Sequence, residues 1–192
     1  MAQLLIPVST EDHVLGNPEA LLSIVEYADF ESPECRKAAE VMRRVVTAHR
    51  DDIVYAFRHF PLEELHPEAE RAAEAAEAAG AQGEDKFWEM HDMLFANQDA
   101  LDDDSLNLYA DMIELNTEQF RADLEARVYA GRVHRDHMRA LQNGTRQAPS
   151  FFVSNQLYAG VYSFRELLRA IRAGKRRIWN KYKCSQKSHD IH

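Results

Sequence analysis

The apolar positions between Leu21 and Phe60 change their spacing twice. Leu21-Leu22-Ser23-Ile24-Val25-Glu26-Tyr27 is a mostly apolar run rich in strand formers, long enough for a buried strand and too short for a helix. From Cys35 onward the period becomes helical. Cys35, Ala39, Met42 and Val46 recur on one stripe, widened by Ala38, Val41 and Val45, which predicts a core-facing helix from Pro33 to about His49. Ser32 is its expected N-cap and Pro33 its first residue, because a hydroxyl accepts an otherwise unpaired first-turn N–H and proline has no N–H to leave unpaired. After Asp51-Asp52, Ile53 to Phe60 reads as a second strand. Strand, helix, strand is a right-handed crossover and yields a parallel pair.

Upstream, Leu4 to Val8 has the makings of a short edge strand, limited by Pro7, and Gly16, Asn17 and Pro18 mark a turn. From Leu62 to Thr145 the pattern is helical throughout. An alanine-rich helix covers Glu68 to Ala79 and ends at Gly80; Phe87, Met90, His91, Leu94 and Phe95 stripe the next. Asp104 or Ser105 is the expected cap of a third helix reaching about Leu115, Thr117-Glu118-Gln119-Phe120 resembles the start of a fourth, and a fifth spans Gly131 to Gln142. Strand character returns at Phe151-Phe152-Val153, with Asn155-Gln156 as the turn of a hairpin to Leu157-Tyr158 and Ser163 capping a last helix that points Phe164, Leu167, Leu168 and Ile171 inward. An all-helical block is thus set into a strand-containing frame: residues 1–61 and 146–175 form the frame, 62–145 the insert and 176–192 a basic tail.

At 192 residues, 45% hydrophobic and 29% charged, the chain has the size and composition of a globular domain with a real core. No basic segment followed by an apolar one opens it and no apolar run approaches spanning length, so the expectation is a cytoplasmic protein with no membrane partner. The net charge of −9 hides an asymmetry. Basic residues dominate from Arg165 to the end, while residues 62–104 are strongly acidic, with only Arg71 and Lys86 in opposition. The overall acidity argues against nucleic acid, whose affinity comes largely from phosphate neutralisation. The basic end reads either as a solvated tail or as a dock for an acidic surface. Two cysteines, Cys35 and Cys184, are too few for a disulfide framework.

Cys35 is the candidate for chemistry, since a helix start concentrates unpaired N–H groups and the positive end of the macrodipole, and both stabilise a thiolate. Asp29, Glu31 and Glu34 oppose that effect and Arg36 and Lys37 assist it, so the sequence leaves the sign open. The bland alternative is a small core residue. Glu26 is equally two-sided: a buried carboxyl able to relay protons, or an acid at a strand end with its head in water. His134 and His137 share a helix face with Asp136 between them, but no third ligand is specified and no metal is expected. His59 and His91 read as packing or capping residues.

Ser32-Pro33-Glu34-Cys35, preceded by Val25-Glu26-Tyr27-Ala28-Asp29-Phe30-Glu31, resembles the Cys-Pro-x-Cys segment of the DsbA-like branch of the thioredoxin superfamily. Asp12 to Gly16, Phe57 to Leu62, Phe87 to Phe95 and Ala148 to Val153 are similar to that family's lead-in, second strand, inserted helix and cis-proline segment, so the likeness spans about residues 12 to 173. The resemblance implies an α/β thioredoxin-like fold with a mixed sheet and an inserted helical subdomain. It implies a site in which Cys35, Ser32 and Glu26 do chemistry and Pro33, Glu34, Ala148 and Pro149 bind substrate, with Pro149 cis and its groove open to a peptide or glutathione. The departure is Ser32, which stands, in the exposed position, where the family has its nucleophilic cysteine. Three readings follow: a DsbA-like thiol–disulfide oxidoreductase with an impaired or monothiol site, acting on protein thiols and disulfides; a glutathione-binding transferase or isomerase similar to the kappa class, in which Ser32 holds the thiolate; or a noncatalytic peptide-binding module. No cofactor is implied beyond glutathione as a co-substrate. Phe151, Tyr158 and Tyr162 fit either an apolar client surface or the core.

Overall fold

The computed structural model describes residues 3–189; the side chains of 181–189, that of Cys184 included, lie outside the described residues. Five strands form one sheet in the order β1-β3-β2-β4-β5, where β1 is His13–Gly16, β2 Leu22–Ala28, β3 Ile53–His59, β4 Ser150–Val153 and β5 Gln156–Leu157. β2 is the pivot, parallel to β3 and antiparallel to β4. The crossover between β2 and β3 is α1, Pro33–His49. A block of five helices follows: α2 Ala69–Gly80, α3 Glu84–Ala96, α4 Asp103–Met112, α5 Thr117–Glu125 and α6 Ala130–Gln142, and the chain returns to the sheet before α7, Phe164–His189. This is the thioredoxin-like α/β arrangement with an inserted helical block.

The two faces of the sheet bury different things, as a two-residue period requires. Leu22, Ile24 and Ala28 of β2, with Ile53, Tyr55 and Phe57 of β3 and Phe151 and Val153 of β4, join the main core with Cys35, Ala38, Met42 and Val45 of α1. Val25, Tyr27, Ala56 and Phe152 face the other way, into a smaller core with Leu4 and with Ala140 of α6. Glu26 has the parity of Ile24 and Ala28, so its carboxyl is carried onto the α1 side.

Several local expectations shift. Leu4 to Val8 forms no strand. Arg58, fully buried, donates to the carbonyls of Ile6 and Pro7 and to the Tyr27 hydroxyl, each at 3.0 Å, and takes both oxygens of Asp12 at 2.7 and 3.0 Å. The segment's carbonyls are satisfied by a guanidinium instead of a ladder. The edge strand is His13–Gly16, where a turn was expected from Gly16; Gly16 ends it at φ +91°, and a Cβ there would lie 2.3 Å from the Ile53 carbonyl oxygen. Ser154 and Asn155, both at positive φ, make the hairpin turn one residue earlier than expected. α4 is capped by Asp102, not Asp104 or Ser105, and stops at Met112. The last helix, Phe164–His189, continues into the segment read from sequence as a basic tail.

Because Asp12 is the only carboxylate bonded to the buried Arg58 guanidinium among the described residues, Asp12→Ala is expected to cost about 3–5 kcal/mol in urea unfolding, while a D12A/R58M double variant recovers much of that loss.

Candidate active site

The site is built where β2 hands over to α1. Ser32 is the N-cap, with extended φ and ψ of −74° and 122°, and its oxygen accepts the Cys35 N–H at 3.4 Å; Pro33 takes the first helical position. Helical spacing then turns Cys35 toward the sheet, where its side chain is 0% exposed. Its sulfur accepts the Asp29 N–H at 3.4 Å. Burial pushes the thiol far above its usual range; the Asp29 N–H and Ser32 pull it back less, and Glu26 and Asp29 add to the rise. The question left open by the sequence is settled by desolvation: at neutral pH this sulfur is a protonated thiol.

Glu26 faces the same interior. The Tyr55 hydroxyl donates to its Oε2 at 2.6 Å, and Oε1 has no hydrogen-bond partner. Burial raises the carboxyl to about 8, opposed by the Tyr55 bond, so Glu26 is neutral at physiological pH. Tyr55 in turn is pushed well up by burial and then by Glu26. Tyr162 closes the cluster from the far side. Its ionisation is disfavoured by burial and then by Glu26 and Cys35, and its hydroxyl donates to the Pro149 carbonyl at 3.0 Å. The Ala148–Pro149 bond is cis. Tyr55 thus holds the carboxyl, while Tyr162 holds the proline loop and packs on Phe151, the cross-strand partner of Glu26.

The helical insert reaches into the same place. Gln98, just beyond α3, donates to the carbonyls of Phe30 and Ser32 at 2.6 and 2.8 Å. Asp29, buried before α1, accepts the N–H groups of Glu31 and Leu62 and contacts His66 Nδ1, each at 2.8 Å. One carboxylate therefore ties the loop entering α1 to the segment leaving β3.

Of the residues singled out from sequence, Cys35, Ser32 and Glu26 come together, and the Pro149 carbonyl is held by Tyr162, which packs on Phe151 beside Glu26 in the sheet. Pro33 and Glu34 are exposed, with Glu34 paired to Lys37 at 2.6 Å and turned to solvent. Ala148 is half-buried and Pro149 buried. Ser32 corrects an expectation: it is 5% exposed, because its hydroxyl folds back on the Cys35 N–H and Gln98 lies on its carbonyl. His59 bonds Glu77 at 2.8 Å and His91 packs among Phe30, Phe57 and Phe95. His137 contacts the Pro61 carbonyl while His134 is exposed. Sequence reasoning missed Tyr55, Gln98, His66 and the anchoring role of Asp29. Tyr55 carried a usable signal, as a hydroxyl on the inward parity of β3; Gln98 carried none, since its partners lie 66 and 68 residues away.

A family model described as thioredoxin matches residues 8–173. The fold is that of DsbA-like proteins: Wolbachia pipientis alpha-DsbA1 superposes with a TM-score of 0.78 at 20% identity, covering 93% of this chain and 98% of that one. A thioredoxin-like oxidoreductase from Silicibacter pomeroyi DSS-3 gives 0.77 at 27% identity, covering 88% and 94%. Among curated proteins, Na(+)/H(+) antiporter NhaA 3 of Salinispora tropica is 41% identical over 169 residues, which is 88% of this chain and 26% of that protein. The chain spans about a quarter of the length of the curated relatives it matches.

Two measurements check the electrostatics. Alkylation of Cys35 by iodoacetamide, followed on its own peptide by mass spectrometry, is expected to be at least about a hundredfold slower in the folded protein than in urea. Glu26 holds its proton more tightly folded than unfolded, so its contribution favours folding below its unfolded value near 4.5 and is lost as pH rises to about 8. Glu26→Gln should remove that dependence, gaining on the wild type by roughly 1.4 kcal/mol per pH unit across the window in urea titrations.

Proposed function

This chain belongs to the thioredoxin family, and from that premise we propose that it is a DsbA-like protein whose dithiol cycle is closed at position 32 and whose remaining task is to hold a polypeptide thiol or disulfide without turning it over. Dithiol exchange needs an exposed thiolate to attack a disulfide sulfur and a second cysteine to resolve the mixed disulfide. A serine hydroxyl forms no mixed disulfide. The observation that carries the reading is Cys35: fully buried and protonated, it is a poor nucleophile in place of the missing one. What the site keeps is the binding half of the machinery. Ala148, half-buried just before β4, offers backbone groups for an extended segment to pair with, Pro33 and Glu34 lie exposed on the helix start, and Gln98 and Asp29 brace the loop that enters that helix. The likeness to part of Na(+)/H(+) antiporter proteins fits a client that is itself a membrane protein.

Glutathione is the second reading. The Ser32 oxygen accepts an N–H, which leaves its own proton to donate to an anion at the helix start, the arrangement a bound thiolate needs.

Insulin reduction separates the outcomes. The wild type is expected at background and Ser32→Cys at least about tenfold above it, since a restored thiol at the helix start has the resolving Cys35 one turn away. Wild-type turnover matching that of S32C overturns the reading. Saturable glutathione binding to the wild type, lost in Ser32→Ala, favours the second reading over the first.

A further inference from the structure

α7 is longer than the fold requires. The family match ends at residue 173, and the helix packs its inner face, Leu167, Ile171 and Gly174, on the sheet, with Gly174 set against Leu22. Beyond that point it continues to His189. The opposite face is organised. Arg165, Arg169, Arg172, Arg176 and Trp179 follow one another at steps of four, three, four and three residues, which places them along a single line on the helix. All five are exposed, Trp179 at 56%. Arg169 pairs with Glu166 at 2.6 Å, and Lys175 is held aside by Asp52, also at 2.6 Å. Further along the sequence Lys183 and Lys187 follow at steps of four. The line from Arg165 to Trp179 is about 21 Å long on a straight helix.

A row of guanidinium groups on one face of a helix, in a chain of net charge −9, fits a polyanion met by that face, with Asp51 and Asp52 lining the hollow at its flank beside Lys175. Two features select the kind of polyanion. Trp179 sits within the row, and indole belongs at the boundary between headgroups and acyl chains. Leu21, 81% exposed, borders the same hollow as Ile178 and Trp179, which adds apolar surface beside the charge. A nucleic acid duplex would meet the arginines through its phosphates, a contact that gives Leu21 no apolar partner. We propose that the outer face of α7 is a docking surface for a bilayer rich in anionic phospholipid, with the arginines on the headgroup phosphates and Trp179 and Leu21 at the interface. The contact is peripheral: among the described residues no helix is long and apolar enough to cross a membrane.

The experiment is flotation of the full chain with vesicles of phosphatidylcholine alone and of phosphatidylcholine with about one quarter phosphatidylglycerol. Binding is expected to the mixed vesicles only and to fall as salt is raised. The variant R172Q/R176Q should weaken partitioning by about 25-fold, about fivefold per charge removed, and Trp179→Ala should weaken it further without changing the circular dichroism spectrum. Absence of flotation at low salt overturns the proposal, as does binding unchanged in R172Q/R176Q. Duplex DNA that competes the protein off the vesicles through the same arginines while W179A binds lipid normally marks a generic polyanion site and overturns it too. So does concentration-dependent dimerisation in light scattering that R172Q/R176Q abolishes while lipid binding is absent, which would assign the face to the acidic insert of a second copy.

Discussion

The first turn of α1 lies on the inward face of β2, and that contact excludes water from Cys35 and Glu26 together. Burial acts on each group in its own right. It raises the Cys35 thiol, with Glu26 and Asp29 adding to the rise, and it raises the Glu26 carboxyl because a negative charge there would go unsolvated. The hydrogen bonds that do reach the pair, from the Asp29 N–H and the Tyr55 hydroxyl, are too few to reverse the effect. A helix N-terminus, which in an open setting activates sulfur, is here overruled by burial.

That balance explains how one substitution reorganises a site without dismantling it. Ser32 keeps the capping bond that a cysteine would make poorly, and the surrounding supports are intact: Asp29 binding two segments, Gln98 reaching across from the insert, Tyr162 on the Pro149 carbonyl. None of these depends on a sulfur at position 32. The supports of this loop and the residue at position 32 are therefore separable, since the first rest on backbone hydrogen bonds made by other side chains and the second is a single side chain.

Charge is divided as sharply as chemistry. Two of the insert's buried carboxylates are paired, Glu77 with His13, His59 and Arg132, and Glu74 with Arg127. Its outer surface is left acidic. On α7, Arg165, Arg169, Arg172 and Arg176 form an exposed row on the face turned away from the sheet. Such local grouping is concealed by the overall charge.

The sequence alone determined the elements and the family pattern. Strand runs, the helical stripe from Cys35 and the Ser32-Pro33 start are local, and local propensities with one dominant period settle them. It also determined what the site lacks, since a serine at position 32 is legible without coordinates. Only the tertiary structure decided the rest. Whether Cys35 is activated or silenced depended on how much water remains around it, which no neighbour in sequence reports. Glu26 could be a relay or a surface acid until the parity of β2 was set against α1. The strand at His13–Gly16 replaced the one expected at Leu4 to Val8 because Arg58, some fifty residues on, claims the carbonyls of Ile6 and Pro7. The physical reason is common to all three: burial and long-range hydrogen bonds are properties of packed surfaces, and the chain specifies them only through the fold that brings those surfaces together.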